Sequence, residues 1–339
     1  MLSHMSAYGV RLGSVRKAGL LIGLVSVAAL AGGLTAGTAS AFGPANSSAP
    51  LATSTLTFGG GSVISSKPKV YVVFWGTQWG TRSTDSNGNL KFSNDTAGAA
   101  GRVQQLIKGL GTGGELWSGV PTQYCDLPPG ATSCSVSAPH VQYPTGGGVL
   151  AGVWYDNSRV APSAASSMQI GQEAVSAAGH FGNTTAASNQ GVQYVIFSPK
   201  GTNPDSYKTG GFCAWHDSNS DLGASSPYGE ILLTNLPYVL DVGTKCGQNF
   251  VNAGSAGTLD GFTIVEGAQY ADTLTDPEPP SGWTTGFANG AREIADVCAW
   301  ISSGQGAAAN VVMGNGSYPM QSLWSNDTTR CDISHPIVT

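Results

Sequence analysis

The chain reads as a single mixed α/β domain, a sheet with flanking helices braced by disulfides. Three observations point there. Short β-branched and aromatic runs at 70–75 and 192–197 have the composition of strands buried on both faces. Segments with apolar residues at helical spacing lie between them, so strand, helix and strand alternate. All six cysteines lie downstream of an export-type leader, in a setting where pairing is the default.

The elements follow in order. Arg11, Arg16 and Lys17 precede an apolar run over 18–34, and Ala39-Ser40-Ala41 supplies the small residues that signal peptidase requires. Residues 1–41 are therefore expected to be a signal peptide cleaved before Phe42. No later apolar stretch approaches the ~18 residues of a membrane span, so no membrane partner is expected after cleavage. Residues 42–66 are rich in Gly, Ser, Thr and Pro and read as a flexible arm. The expected domain covers 67–339.

The run 70–75 is the expected central strand, 76–80 a loop and 85–89 a turn. Val103, Leu106, Ile107 and Leu110 recur at helical spacing within 96–110, which predicts a helix against the sheet. A loop-and-strand region from Leu116 runs through 149–154, helical spacing returns at 167–178, and 231–238 is apolar enough for another strand. Six cysteines allow fifteen connectivities. Sequential pairing is expected, because Cys125 and Cys134 flank a turn-rich loop, Cys213 and Cys246 bracket a Gly/Ser-rich stretch, and Cys298 and Cys331 tie down the C-terminal region.

Charge excludes two classes of partner. The chain has 15 basic and 20 acidic residues, and removing 1–41 takes away three of the basic ones and no acid, leaving a net charge of −8. With no basic cluster there is no electrostatic footprint for nucleic acid or for anionic lipid. The low density of charge fits an extracellular surface. Gly-x-Ser-x-Gly does not occur, so a serine hydrolase is not expected, and Gly59–Gly61 and Gly146–Gly148 lack the context of a nucleotide loop.

The organising stretch is 261–277. At 3.6 residues per turn Gln269, Asp272 and Asp276 share one face and Gly267, Tyr270, Ala271 and Leu274 another, which predicts an amphipathic helix. Thr263 and Glu266 have capping-box spacing and Pro277 stops the helix. This stretch, with Phe212-Cys213-Ala214-Trp215-His216 and Glu293-Ile294-Ala295-Asp296-Val297-Cys298, resembles bacterial secreted proteins similar to the phosphate-induced (EXORDIUM-like) family. There the helix carries His-Glu-x-x-Glu before Thr-Asp-Pro, a zincin-like motif in which a His and a carboxylate one turn apart hold a metal ion.

The resemblance implies a metallopeptidase-like framework and fixes what is missing from it. Ala268 stands at the ligand His and has no lone pair; Gln269 stands at the base and takes no proton; Asp272 keeps the acidic ligand position. The expectation is a secreted pseudoenzyme without a cofactor, non-catalytic or impaired, binding an extracellular peptide or glycan through Trp215, His216 and Trp283. Trp75 and Trp79 are further stacking candidates, with core burial the competing reading. The alternative is an active secreted hydrolase, either a zinc enzyme or an acid carboxyl-type endopeptidase. It would use Asp272, Glu293, Asp296 and His216 as ligands or acid–base groups, with Gln269 at the base position and Glu293 as candidate acid. Against those roles, Glu293 and Asp296 also fit pairing with Arg292, and His216 fits a hydrogen-bonded structural residue.

Overall fold

The structure is a computed structural model and describes residues 40–45, 55–286 and 290–339. The expected leader over 1–39 lies outside them. The described residues belong to one compact unit.

Six strands make the main sheet: β1 (Ser40–Phe42), β2 (Lys69–Trp75), β3 (Leu150–Asp156), β4 (Val192–Phe197), β5 (Ala214–Ser218) and β6 (Leu232–Leu236). The spatial order is β3-β2-β4-β6-β5-β1. Strands β3, β2, β4 and β6 run parallel, while β5 pairs antiparallel with β6 and the short β1 antiparallel with β5. The mixed α/β class expected from the strand–helix alternation is therefore present. Helix α1 (Ala99–Gly109) connects β2 to β3 and α2 (Ser167–His180) connects β3 to β4.

Alternation along the strands builds a core on each face. Val70, Val72 and Phe74 of β2 join Val195 and Phe197 of β4 beneath α1 and the long helix α3 (Asp260–Thr275). Val73 and Trp75, with Tyr194 and Ile196, join Ile170, Ala174 and Ala177 of α2 on the opposite face. Each of these large side chains, fully buried, contributes roughly 1.5–3 kcal/mol. The three disulfides join Cys125–Cys134, Cys213–Cys246 and Cys298–Cys331, the sequential pairing expected.

Strand β5 lies between two turn-rich stretches. Asn219 explains its return: the Asn219 side chain donates to Ala224 O at 2.6 Å and accepts from Ile231 N at 2.7 Å, closing the connection into β6. The Cys213–Cys246 bridge fixes the start of the strand.

Two expectations are corrected. The arm at 42–66 is not free over its described parts: Phe42, Leu56, Phe58, Val63 and Ile64 are buried in the core, and Thr57–Phe58 pairs with Trp283–Thr284. Low periodicity hid this, because these apolar residues enter the core one at a time. Helix α3 is not amphipathic, since every residue from Asp260 to Thr275 is buried. Gly261 and Gly267 permit that enclosure: a Cβ at Gly261 would collide with Cys246 O, and one at Gly267 with the Met320 side chain.

On the α2 face, Glu173 is buried against Asp156, and burial first, then the Asp156 carboxylate, push its pKa up to about 8. The native state therefore holds this proton more tightly than the unfolded chain. The contribution is present in full below the unfolded pKa of about 4.5 and is lost as pH rises through about 8. Glu173→Gln, which keeps a donor to Asp156 and removes the titration, is expected to gain on the order of 1–3 kcal/mol relative to the natural chain at pH 8–9, read from urea midpoints.

Candidate functional site

The site forms where β5 meets the C-terminal end of α3. Ala214 belongs to the α3-side core and Trp215 to the α2-side core, so alternation turns His216 toward α3. There His216 Nδ1 lies 3.2 Å from Gln269 Oε1, and Nε2 lies 3.0 Å from the carbonyl oxygen of Asp276 and 3.3 Å from Glu293 Oε1. Both ring nitrogens therefore face protein oxygens, Nδ1 the amide oxygen of Gln269 and Nε2 the Asp276 carbonyl and the Glu293 carboxyl.

The neighbours of the ring are fixed in turn. Asp272 Oδ1 accepts from Ala295 N at 2.8 Å, and Asp276 Oδ1 accepts from Gly282 N at 2.6 Å. Gln193 of β4 donates to Thr234 Oγ1 at 2.6 Å and Thr273 Oγ1 at 2.9 Å, tying α3 to the sheet beside Gln269. Arg292 donates to the backbone oxygen of Asp296. His216, Gln269, Asp272, Asp217 and Glu293 are each 1% exposed and Asp276 is 0% exposed.

Burial dominates the electrostatics. Glu293 is raised well above the usual carboxylate range by burial first, then by the neighbouring carboxyls of Asp276, Asp296 and Asp217. Asp272 is raised well above its ordinary value by burial, Glu293 and Asp296, partly offset by His216 and the Ala295 N–H. Burial raises Asp217 to about 7 and Asp276 to about 6, against the lowering effect of backbone N–H donors and His216. The cluster can hold and relay protons between carboxyls and imidazole.

The fate of each sequence candidate is specific. His216, Gln269 and Glu293 come together in one hydrogen-bonded group; Asp272 lies in the same cluster; Asp296, partly buried, acts on it through its charge. Trp215 and Trp283 present no stacking face, since both are buried with their N–H groups committed to Asp205 Oδ2 at 3.0 Å and Cys125 O at 2.9 Å. Trp75 and Trp79 are buried as well.

The capping box is absent. Thr263 lies inside α3 and donates to Asp260 O and Pro319 O, and Glu266 is buried with neither oxygen bonded to a described residue, its pKa raised to about 8 by burial. Asp276, read from sequence as an ordinary helix end, supplies the carbonyl that orients His216. Asp217 was missed altogether. The sequence signals for Asp276 are its place in Thr-Asp-Pro and its place among the carboxyls, with Asp272, Glu293 and Asp296, that could converge in an acid hydrolase.

Zinc does not fit the residues present. Ala268 offers only a methyl group, and both nitrogens of His216 are already engaged within the protein, Nδ1 by Gln269 and Nε2 by Asp276 O. Among the described residues no group of three or more His, Cys, Asp or Glu is arranged to hold a metal ion. Comparison with family models, with curated proteins and with solved structures finds no match.

Because each raised carboxyl is protonated more readily in the native state, this cluster favours folding at low pH, and that advantage is lost as pH rises through about 6 and 7, where Asp276 and Asp217 ionise. Urea midpoints are expected to fall between pH 5 and 8. In Asp217→Asn the fall is expected to be shallower by about 1–2 kcal/mol, whereas a mutant as steep as the natural chain would remove Asp217 from the account.

Proposed function

We propose that this chain is an exported binding protein on a metallopeptidase-like framework whose hydrolytic centre has become a buried imidazole–carboxyl network. The reading follows the resemblance to secreted phosphate-induced-like proteins. One observation carries it: both ring nitrogens of the buried His216 are engaged by protein oxygens, Nδ1 by Gln269 and Nε2 by Asp276 O, beside a Gln at the base position and an Ala at the ligand position. An imidazole engaged at both nitrogens is not free to ligate a metal or to take a substrate proton. The three disulfides fit an oxidising, extracellular setting. Among the described residues no helix is long and apolar enough to cross a membrane.

A second reading is favoured by the Glu293–Asp276 carboxyl pair, which has the proton-sharing character of an acid hydrolase. Turnover separates the two. The purified protein is expected to cleave neither casein nor β-glucan between pH 3 and 9 above the level of Glu293→Gln. Hydrolysis that disappears in Glu293→Gln would make the carboxyl-hydrolase reading the correct one.

Restoring the motif tests the framework. The combined variant Ala268→His, Gln269→Glu, Asp272→Glu is expected to bind zinc with micromolar or tighter affinity near pH 7 by calorimetry, while each single change leaves zinc binding at background. A folded triple variant with no affinity for zinc would count against a metallopeptidase-like framework.

A further inference from the structure

A groove of about 430 Å³ opens beside the end of α3, between the arm at 62–66 and the segment 186–191. Its floor is apolar, formed by the buried residues Val63, Ile64, Leu232 of β6 and Pro277. The rim carries three acids, Asp126, Glu230 and Glu278, and no Lys, Arg or His lines any part of the groove. An acidic mouth thus stands over an apolar floor.

The walls are fixed from within the protein. Val63 N donates to Asp126 Oδ1 at 2.6 Å and Ile64 N to Leu274 O at 2.9 Å, which fastens the arm to α3. Asn189 Nδ2 donates to the carbonyls of Asn183 at 2.9 Å and of Thr185 and Tyr228 at 3.1 Å, which holds the opposite wall. Ser220 Oγ donates to Glu230 Oε1 at 2.7 Å, and Ser281 Oγ donates to Glu278 O at 2.7 Å, closing the turn after the helix. Asp126 is engaged by the arm, which leaves Glu230 and Glu278 as the acids that shape the mouth. Glu278 is raised above its ordinary value by burial first, then by Glu230 and Asp221, so these carboxyls repel one another across the rim.

The arrangement narrows the cation that would relieve this repulsion. Glu230 precedes β6 and Glu278 follows α3, and among the described residues no group of three or more His, Cys, Asp or Glu is arranged to hold a metal ion. Two carboxyls on separate elements suit a compact ammonium, whereas a planar guanidinium pairs best with a single carboxylate in a fork. The apolar floor suits a side chain that lays down an aliphatic stem and keeps its charged tip at the rim.

We propose that this groove takes a lysine side chain of an extracellular peptide, its methylenes on Ile64, Leu232 and Pro277 and its ammonium between Glu230 and Glu278. The proposal rests on the reading of the chain as a binding protein and names the ligand class for it; a neutral glycan brings no cation to the rim. Pro277 and Glu278 directly follow Asp276, so the groove and the carbonyl in contact with His216 belong to one stretch of chain.

The test is an NMR titration of the purified protein with the peptide acetyl-Gly-Gly-Lys-Gly-Gly-amide at low salt. This peptide is expected to bind at least about tenfold more tightly than its Nε-acetyl-lysine counterpart, and the double variant Glu230→Gln, Glu278→Gln is expected to lose that preference. The variant removes repulsion at the rim, so its melting temperature is expected to be no lower than that of the natural chain. Asp85→Asn, which removes an acid that does not line the groove, is expected to keep the preference. Equal binding of the acetylated peptide, an undiminished preference in the double variant, or an equal loss in Asp85→Asn overturns the proposal. An arginine peptide that binds as tightly overturns the assignment of lysine. Casein hydrolysis that depends on Glu293 defeats the binding-protein reading instead, and is read separately from the titration.

Discussion

The contact of His216 Nε2 with the carbonyl of Asp276 joins three separate parts of the chain. His216 lies on β5, Asp276 closes α3, and Glu293 approaches the same nitrogen from the segment beyond the helix. A buried ring nitrogen left without this contact would cost roughly 1–3 kcal/mol, and the carboxyls around it would lose the group that offsets their mutual repulsion. The end of the helix, the edge of the sheet and the 293–298 segment therefore hold one another in place.

That constraint accounts for the complete enclosure of α3. A helix with Gln269, Asp272 and Asp276 on one side would ordinarily turn that side to water. Here the polar side faces β5 and the 293–298 segment, and each of these residues finds its partner within the protein. The glycines at 261 and 267 let Cys246 and Met320 close against the other sides. Glu266 has no such compensation among the described residues, and its raised pKa expresses the cost of burial alone.

The concentration of carboxyls explains how one site joins stability to protonation. Glu293, Asp276 and Asp272 are buried in one group with His216, and Asp217 and Asp296 act on that group through their charge, so the protonated forms of several are favoured. The same proton-sharing recurs on the other face of the sheet between Glu173 and Asp156. The two clusters share no residue.

The sequence by itself determined the mixed α/β class, the strands at 70–75 and 192–197 and the helices that follow the first strand and precede the second, because periodicity and β-branched composition are local properties; it favoured sequential disulfide pairing among fifteen connectivities, and the structure decided it. It also brought Gln269, Asp272, Glu293 and His216 into view through short motifs. Only the tertiary structure decided that α3 is buried all round, that Glu266 is no cap, that the tryptophans are core residues, and that Asp276 and Asp217 belong to the cluster. Each of these depends on what packs against a residue from far along the chain: β5 against α3, Cys246 against Gly261, Pro319 against Thr263. Spacing within a segment carries no record of such neighbours.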